Sequence, residues 1–432
     1  MTRLLNYVPL MAAGAVLALT SSVQAQLDDG VQTIPFPGTV IDLPADGNPE
    51  EDVDVGDATG ATLTQLNMNA GVDFATGDRT YSFTEFNVLA ANGNQSTFPN
   101  SNAIFADCEI NLVAADGFIG NNAMIDANST LNMTDGEVRA GATVAGVANI
   151  SGGGIGNPTV NGELNLSGGA NIFGGSSVVN NGGVINASEN SIIFGPFNVG
   201  AGGTLNVADN TDLRAILVAG VANLAGGVLN SSMTVQDGGV INIMDGASPG
   251  SGTTTINDGG TLNLVGGMSG SNTFVEAGGV LNASGGAFGT AANNPPGLNV
   301  LSGGTVNFSG TEFAIDGVPI ASTPGQPFTV AERDGVLTGT LLDGGQINFD
   351  LSATSGGLFI NFFDADSTVT VTVASSILLG DVNLDGVVDF LDISPFIVLL
   401  STQAFQLEAD INEDGTVDFL DISPFIVILS TS

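Results

Sequence analysis

The chain contains no lysine, no histidine and no tryptophan, and its 432 residues include one cysteine, two tyrosines and five basic residues, all arginine. Each shortage removes a class of function. Against 44 acidic residues the formal charge is -39, so the clustered cations that bind phosphate backbones or anionic bilayers are missing and nucleic acid is excluded as a partner. Cys108 has no second cysteine for a disulfide and no histidine to activate its thiol, which leaves it the role of a small buried apolar residue. Arg3, Arg79, Arg139, Arg214 and Arg333 are scattered along the chain. A lyase needs a basic side chain to take the proton beside a carboxylate, and an acidic sugar needs cationic partners. Sugar faces usually stack on tryptophan or tyrosine, which are almost absent.

What is present begins with "MTRLLNYVPLMAAGAVLALTSSVQAQ": one arginine, a short apolar run, then Val23 and Ala25 at the small-residue positions of a cleavage site. This predicts a signal peptide over residues 1–25 and a mature protein that is secreted or held at the cell surface. The run is short for a membrane span, no cysteine follows it that could carry a lipid, and no later segment is apolar enough to cross a bilayer. Residues 26–60, with "PEEDVDVGD", carry few large apolar groups and predict a solvated acidic leader.

Residues 61–310 repeat themselves. The pieces "GELNLSGG", "GGVINASEN", "GGTLNVADN", "GVANLAGG", "GGVINIMDG", "GGTLNLVGG" and "GGVLNASGG" align on Asn165, Asn186, Asn206, Asn223, Asn242, Asn263 and Asn282, at spacings of 21, 20, 17, 19, 21 and 19. A unit of this length has no room for a helix and a strand, and its apolar and polar residues alternate between Gly-Gly or Asn-Gly pairs. One unit cannot bury its own apolar face, but a stack of them can. The expectation is a parallel β-solenoid, with the asparagines stacked as an amide ladder. About a dozen coils at roughly 4.8 Å each make a stiff spacer on the order of 60 Å long. Residues 311–376 break the period and predict an irregular capping β region over the open end. The Asn-X-Ser/Thr sequons, as at Asn165, Asn186 and Asn282, fall out of the repeat.

Residues 377–432 are of another kind, and "DVNLDGVVDFLDISPFIVLLS" is followed by "DINEDGTVDFLDISPFIVILS". Asp381, Asn383, Asp385, Asp389 and Asp392 occupy positions 1, 3, 5, 9 and 12 of a calcium loop, with Gly386 at the sharp turn and the Val387 carbonyl at position 7. The second copy supplies Asp410, Asn412, Asp414, Thr416, Asp418 and Asp421, with Gly415 at the turn. Alternate residues of a tightly curled loop aim their oxygens inward, and a calcium ion in each loop offsets the repulsion among four carboxylates.

The tandem pair resembles the type I dockerin, which carries aspartate rather than glutamate at position 12. That resemblance implies a small all-α domain, two Ca2+ ions, and docking onto a cohesin-like or other protein module. It places the recognition positions just after the ninth loop residue, at Phe390 and Leu391 and at Phe419 and Leu420, where the family often has small hydroxylated residues. Pro395 and Pro424 fall inside the expected helices, which predicts a fresh start with Ser394 and Ser423 as N-caps and proline at N1. Phe396, Ile397, Leu399 and Leu400, with Phe425, Ile426, Ile428 and Leu429, serve as core between the halves, partner contact being the alternative.

The whole therefore reads as an all-β parallel β-solenoid (β-helix) with a small C-terminal calcium-binding domain: a secreted, non-catalytic protein that docks to a partner or cell-surface assembly. The alternatives are a polysaccharide-active enzyme or a glycan-binding adhesin, with an extracellular polysaccharide as a further partner. The solenoid resembles pectate lyases and polygalacturonases in architecture, and dockerins are commonly attached to polysaccharide-degrading enzymes. The carboxylate pairs that a hydrolase could use, Asp135 and Glu137, Asp209 and Asp212, and Asp364 and Asp366, are as well explained as turn residues.

Overall fold

The computed structural model describes residues 103–431 apart from 114–116, 250–251, 289–296, 352–360, 375–378, 384, 386, 403, 405 and 413–415, together with the backbone of short strands before residue 103. The expected signal peptide lies outside these residues except for Val23–Gln24, whose backbone pairs in parallel with Ile41 and Asp42. Within 26–60, where composition predicts a solvated leader, Val40–Leu43 and Asp52–Asp54 pair in parallel with Gln65–Met68 and Asp73–Phe74, so strand stacking reaches into that stretch.

The repeating unit folds as a coil of three short strands. In one coil these are Val147–Ile150, Gly154–Gly156 and Thr159–Val160, and the next coil opens at Glu163–Leu166. Each strand pairs in parallel with its counterpart one coil on, Val147 with Glu163, Gly154 with Asn171 and Thr159 with Val178. The stack thus has three faces, called first, second and third in that order. This is the parallel β-solenoid that the period of about twenty demands.

Alternation decides which side chains enter the core. First-face strands bury every second residue, as at Leu164 and Leu166, Ile185 and Ala187, and Leu262 and Leu264. Burying one such leucine stabilises by about 1.5–3 kcal/mol, and it is buried only once a neighbouring coil lies above and below. The Gly-Gly pairs answer two needs of the same turn. Gly238, Gly259 and Gly278 have φ of 73°, 73° and 76°, the left-handed region. A Cβ on the next glycine, Gly239, would lie 2.1 Å from the Val218 carbonyl oxygen of the coil below.

The asparagines do form a ladder on the outside of the first face. Asn186, Asn206, Asn223, Asn242, Asn263 and Asn282 each donate Nδ2–H to the Oδ1 of the preceding asparagine at 2.7–2.9 Å. The ladder runs further than the seven aligned pieces, back through Asn149 and Asn132 to Asn111 and on to Asn307, where the Thr370 hydroxyl donates to Oδ1 at 2.6 Å. Asn206→Ala removes one donor and one acceptor from half-buried neighbours, and should cost about 2 kcal/mol. A shift of the unfolding midpoint in denaturant checks this; an unmoved midpoint would show the ladder to be energetically idle.

Beyond Asn307 the parallel order gives way. Thr305–Ile315 pairs antiparallel with Val336–Leu341, which pairs antiparallel with Gln346–Asp350, while Thr368–Val373 returns parallel to Thr305 through Gly310. Phe288, Phe308, Phe349 and Phe363 pack there with ring centroids 5.3–6.0 Å apart. These strands cover an edge that would otherwise offer unpaired backbone. Arg333 ties the cover down, donating to the carbonyl oxygens of Val330, Glu332, Ser367 and Asp364. Cys108 is buried and its N–H bonds the Ser129 hydroxyl at 3.1 Å.

The two α-helices of the described residues are Ile393–Thr402 (α1) and Ile422–Thr431 (α2). Neither starts at a serine cap. In α2 the Phe425 N–H bonds the Asp421 carbonyl at 2.9 Å, so Asp421 caps the helix and Pro424 is its third residue. The N–H that proline lacks is one that no helix satisfies internally, which is why it sits there without a break.

Candidate metal centre and docking faces

The two halves of the C-terminal domain are copies 29 residues apart, and their hydrogen bonds repeat. Asp389 Oδ1 accepts from the Leu391 N–H, and Asp418 Oδ1 from the Leu420 N–H, both at 2.7 Å. Asp392 Oδ2 accepts from the Asp389 N–H, and Asp421 Oδ2 from the Asp418 N–H, both at 2.9 Å. In the first half these bonds make a capping box over the short 3-10 turn Phe390–Asp392. The last loop aspartate also reaches back across the loop: Asp392 Oδ1 accepts from the Asn383 N–H, and Asp421 Oδ1 from the Ile411 and Asn412 N–H groups.

The early part of the first loop curls in the manner its spacing predicts. The Asp385 N–H donates to Asp381 Oδ1 at 3.0 Å and to Asn383 Oδ1 at 2.8 Å, and the Val387 N–H donates to Asp385 Oδ1 at 3.0 Å. An oxygen that accepts one N–H keeps a second lone pair for a metal. Asp414 and the turn glycines Gly386 and Gly415 lie outside the described residues; Val387 and Thr416 stand exposed at the seventh positions. Among the described residues no three acidic side chains gather into one metal-holding cluster.

The donor set nonetheless fits calcium. It holds only hard oxygen donors, carboxylates with asparagine amides. Asp381 and Asp410 are 5% and 2% exposed, and Asp392 and Asp421 are fully buried, in a segment whose sequence from 377 onward has no basic residue. Buried carboxylates are unfavourable unless paired, and backbone N–H donors offset only part of that cost. A divalent cation would supply the rest.

Packing between the halves is also duplicated. Phe396 and Phe425 meet with ring centroids 4.2 Å apart, joined in the core by Val382, Ile411, Ala409 and Val417. Val382 and Ile411 at the second loop position, and Val388 and Val417 at the eighth, are core residues that the sequence reading passed over. Their signal was there, since both positions are apolar in both copies. Gln406, also passed over, ties the halves by donating Nε2–H to the Val382 carbonyl at 2.9 Å.

Opposite this core lies an apolar surface. Phe390, Leu391, Phe419 and Leu420 are 79%, 66%, 81% and 65% exposed. Ile397 and Ile426, expected in the core with their neighbours, are instead exposed beside Val398 and Val427. The helix period explains the correction: Phe396, Leu399 and Leu400 share the inner side of α1, which turns Ile397 and Val398 outward.

Fold and site together define an acidic β-solenoid that carries a duplicated, calcium-type loop-helix domain. Residues 379–429 match the family model of the dockerin type I domain, whose members bind calcium and dock onto cohesin modules. No curated protein matches the chain. Among solved structures, the chain is similar to the hyper-glycosylated TibA fragment whose glycosylation TibC catalyses, at 19% identity and a TM-score of 0.30, over 57% of this chain and 88% of that one.

Proposed function

We propose that the chain is an exported, non-catalytic β-solenoid spacer, docked through its C-terminal domain to a cohesin-class module once that domain holds two calcium ions. Asp381, Asn383, Asp385, Asp389 and Asp392 with the Val387 carbonyl would hold one ion, and Asp410, Asn412, Asp414, Asp418 and Asp421 with the Thr416 carbonyl the other. Bound calcium supplies positive charge among the carboxylates and fixes each loop against the helix that follows it. The observation that carries the reading is the coupling of the two features on one element: the aspartates that close each loop also cap the turn presenting Phe390 and Leu391, or Phe419 and Leu420.

A spacer rather than an enzyme is supported by what the candidate carboxylates do. Asp135 and Asp364 accept backbone N–H groups of their own turns, from Gly136 and Asp366. Asp212 is held by Arg214 and Asn230, Asp209 sits in a left-handed turn at φ 53°, and Arg333 spends its donors on carbonyls.

The test uses the full chain immobilised and exposed to exported proteins, with and without calcium. A protein bearing a cohesin-class module should be retained with calcium and released by chelator. Retention that survives chelator, or a retained partner without such a module, would sink the proposal.

A further inference from the structure

The second face of the solenoid carries a stripe that no motif announces. Register places Arg139, Gly156, Phe173, Phe194, Arg214 and Asn230 at one position of successive coils. Arg139 and Arg214, two of the three arginines that the sequence scatters over residues 61–310, therefore stand in a single column. They are four coils apart, about 19 Å at roughly 4.8 Å per coil.

Each arginine is laid on a phenylalanine. The Arg139 guanidinium carbon lies 3.5 Å from the Phe118 ring centroid and that of Arg214 lies 5.5 Å from the Phe194 centroid, a geometry that steadies a guanidinium while leaving its N–H fork outward. Arg139 is exposed and has no ion pair among the described residues, although the chain has 44 acidic residues to offer. Arg214 is 45% exposed and uses one nitrogen on Asp212 at 3.1 Å.

Between the two cations the face is cut back. A Cβ on Gly156 would stand 2.6 Å from Phe173 Cε2, and one on Gly154 3.0 Å from Phe173 Cδ1, so the Phe173 ring lies over the bare backbone of the preceding coil. Phe194 beside it is 38% exposed. The other side chains of this stretch are Asn171 and Ile192, uncharged; Glu137 and Asp212 flank the two ends.

We infer that this stripe binds a carboxylated polysaccharide lying along the rod axis. Its charge complements the two cations of this column, and the guanidinium fork matches a carboxylate in two N–H bonds. Sugar C–H faces pack on the phenylalanine rings. At roughly 4.8 Å per coil a chain laid along the axis meets Arg139 and Arg214 at its two ends and Phe173 and Phe194 between them. The remaining acidic surface is screened beyond about 8 Å at physiological ionic strength, so the local pairs decide. The inference does not depend on the C-terminal domain.

The experiment is calorimetric titration of the full chain with an octamer of β-1,4-linked mannuronate, its carboxyl-reduced neutral counterpart, and poly-glutamate of equal charge as competitor. The acidic octamer should bind, the neutral one at least tenfold more weakly, and poly-glutamate should compete poorly. The double variant Arg139→Gln with Arg214→Gln, both exposed and so not expected to disturb folding, should lose at least tenfold, and Phe194→Ala several-fold. No binding at millimolar octamer, equal binding of the neutral octamer, full competition by poly-glutamate, or an unaffected arginine variant would each overturn the inference.

Discussion

Chelating calcium should unfold the C-terminal domain and leave the solenoid standing. The domain is about fifty residues long, a size at which a hydrophobic core alone gives little stability. Among the described residues its buried apolar set is small: Val382, Val388, Phe396, Ala409, Ile411, Val417 and Phe425. Against it stand ten acidic residues from Asp381 to Asp421 with no basic residue to answer them, so the folded state gathers like charge. Calcium binding is then folding free energy. Hydrogen exchange on the full chain makes the two parts separable: with chelator, peptides from 379–431 should lose protection while peptides from 103–373 keep it. Asp392→Ala and Asp421→Ala should each reproduce the loss in their own half, weaken calcium binding at least tenfold, and cost about 3 kcal/mol, because each removes a fully buried carboxylate that accepts backbone N–H bonds on both oxygens. The asparagine variants keep one acceptor and should lose less. Equal protection with and without chelator would refute the calcium requirement.

The solenoid could be read from the sequence because its information is local and repeated. Period, Gly-Gly turns and alternation all recur within twenty residues, so each coil states the same structure again, and the asparagine ladder follows from one position. The calcium loops were legible for the same reason, each being a twelve-residue pattern. What stayed hidden depends on contacts between coils or between copies. The column of Arg139, Phe173, Phe194 and Arg214 is invisible because the coils differ in length, so the four do not fall at a constant spacing. The outward turn of Ile397 and Ile426 needed the helix start, which sits at Ile393 and Ile422 rather than one or two residues later.

Phe390→Ser and Phe419→Ser together should abolish docking while barely touching stability. Both rings are about four-fifths exposed, so removing them exposes no core and should change folding by less than about 0.5 kcal/mol. At an interface the same rings would be anchors, each worth about 2–4 kcal/mol, or roughly 30- to 1000-fold in affinity. The duplication gives the prediction its shape. Because the capping bonds repeat in the two halves, each presents a phenylalanine and leucine on a capped turn, followed by an isoleucine and valine on the helix. If either half can seat in the partner, a single variant should weaken binding only about twofold, the statistical share of one of two equal sites, and the double variant should lose it entirely. If one single variant already abolishes binding, the partner reads one half alone, and the difference must come from outside the identical "DFLDISPFIV": from Val382 against Ile411, Leu384 against Glu413, Val387 against Thr416, Leu399 against Ile428, or the linker between the halves. Binding of the double variant at unchanged affinity, measured against the calcium-dependent partner, would place the docking surface elsewhere on the domain.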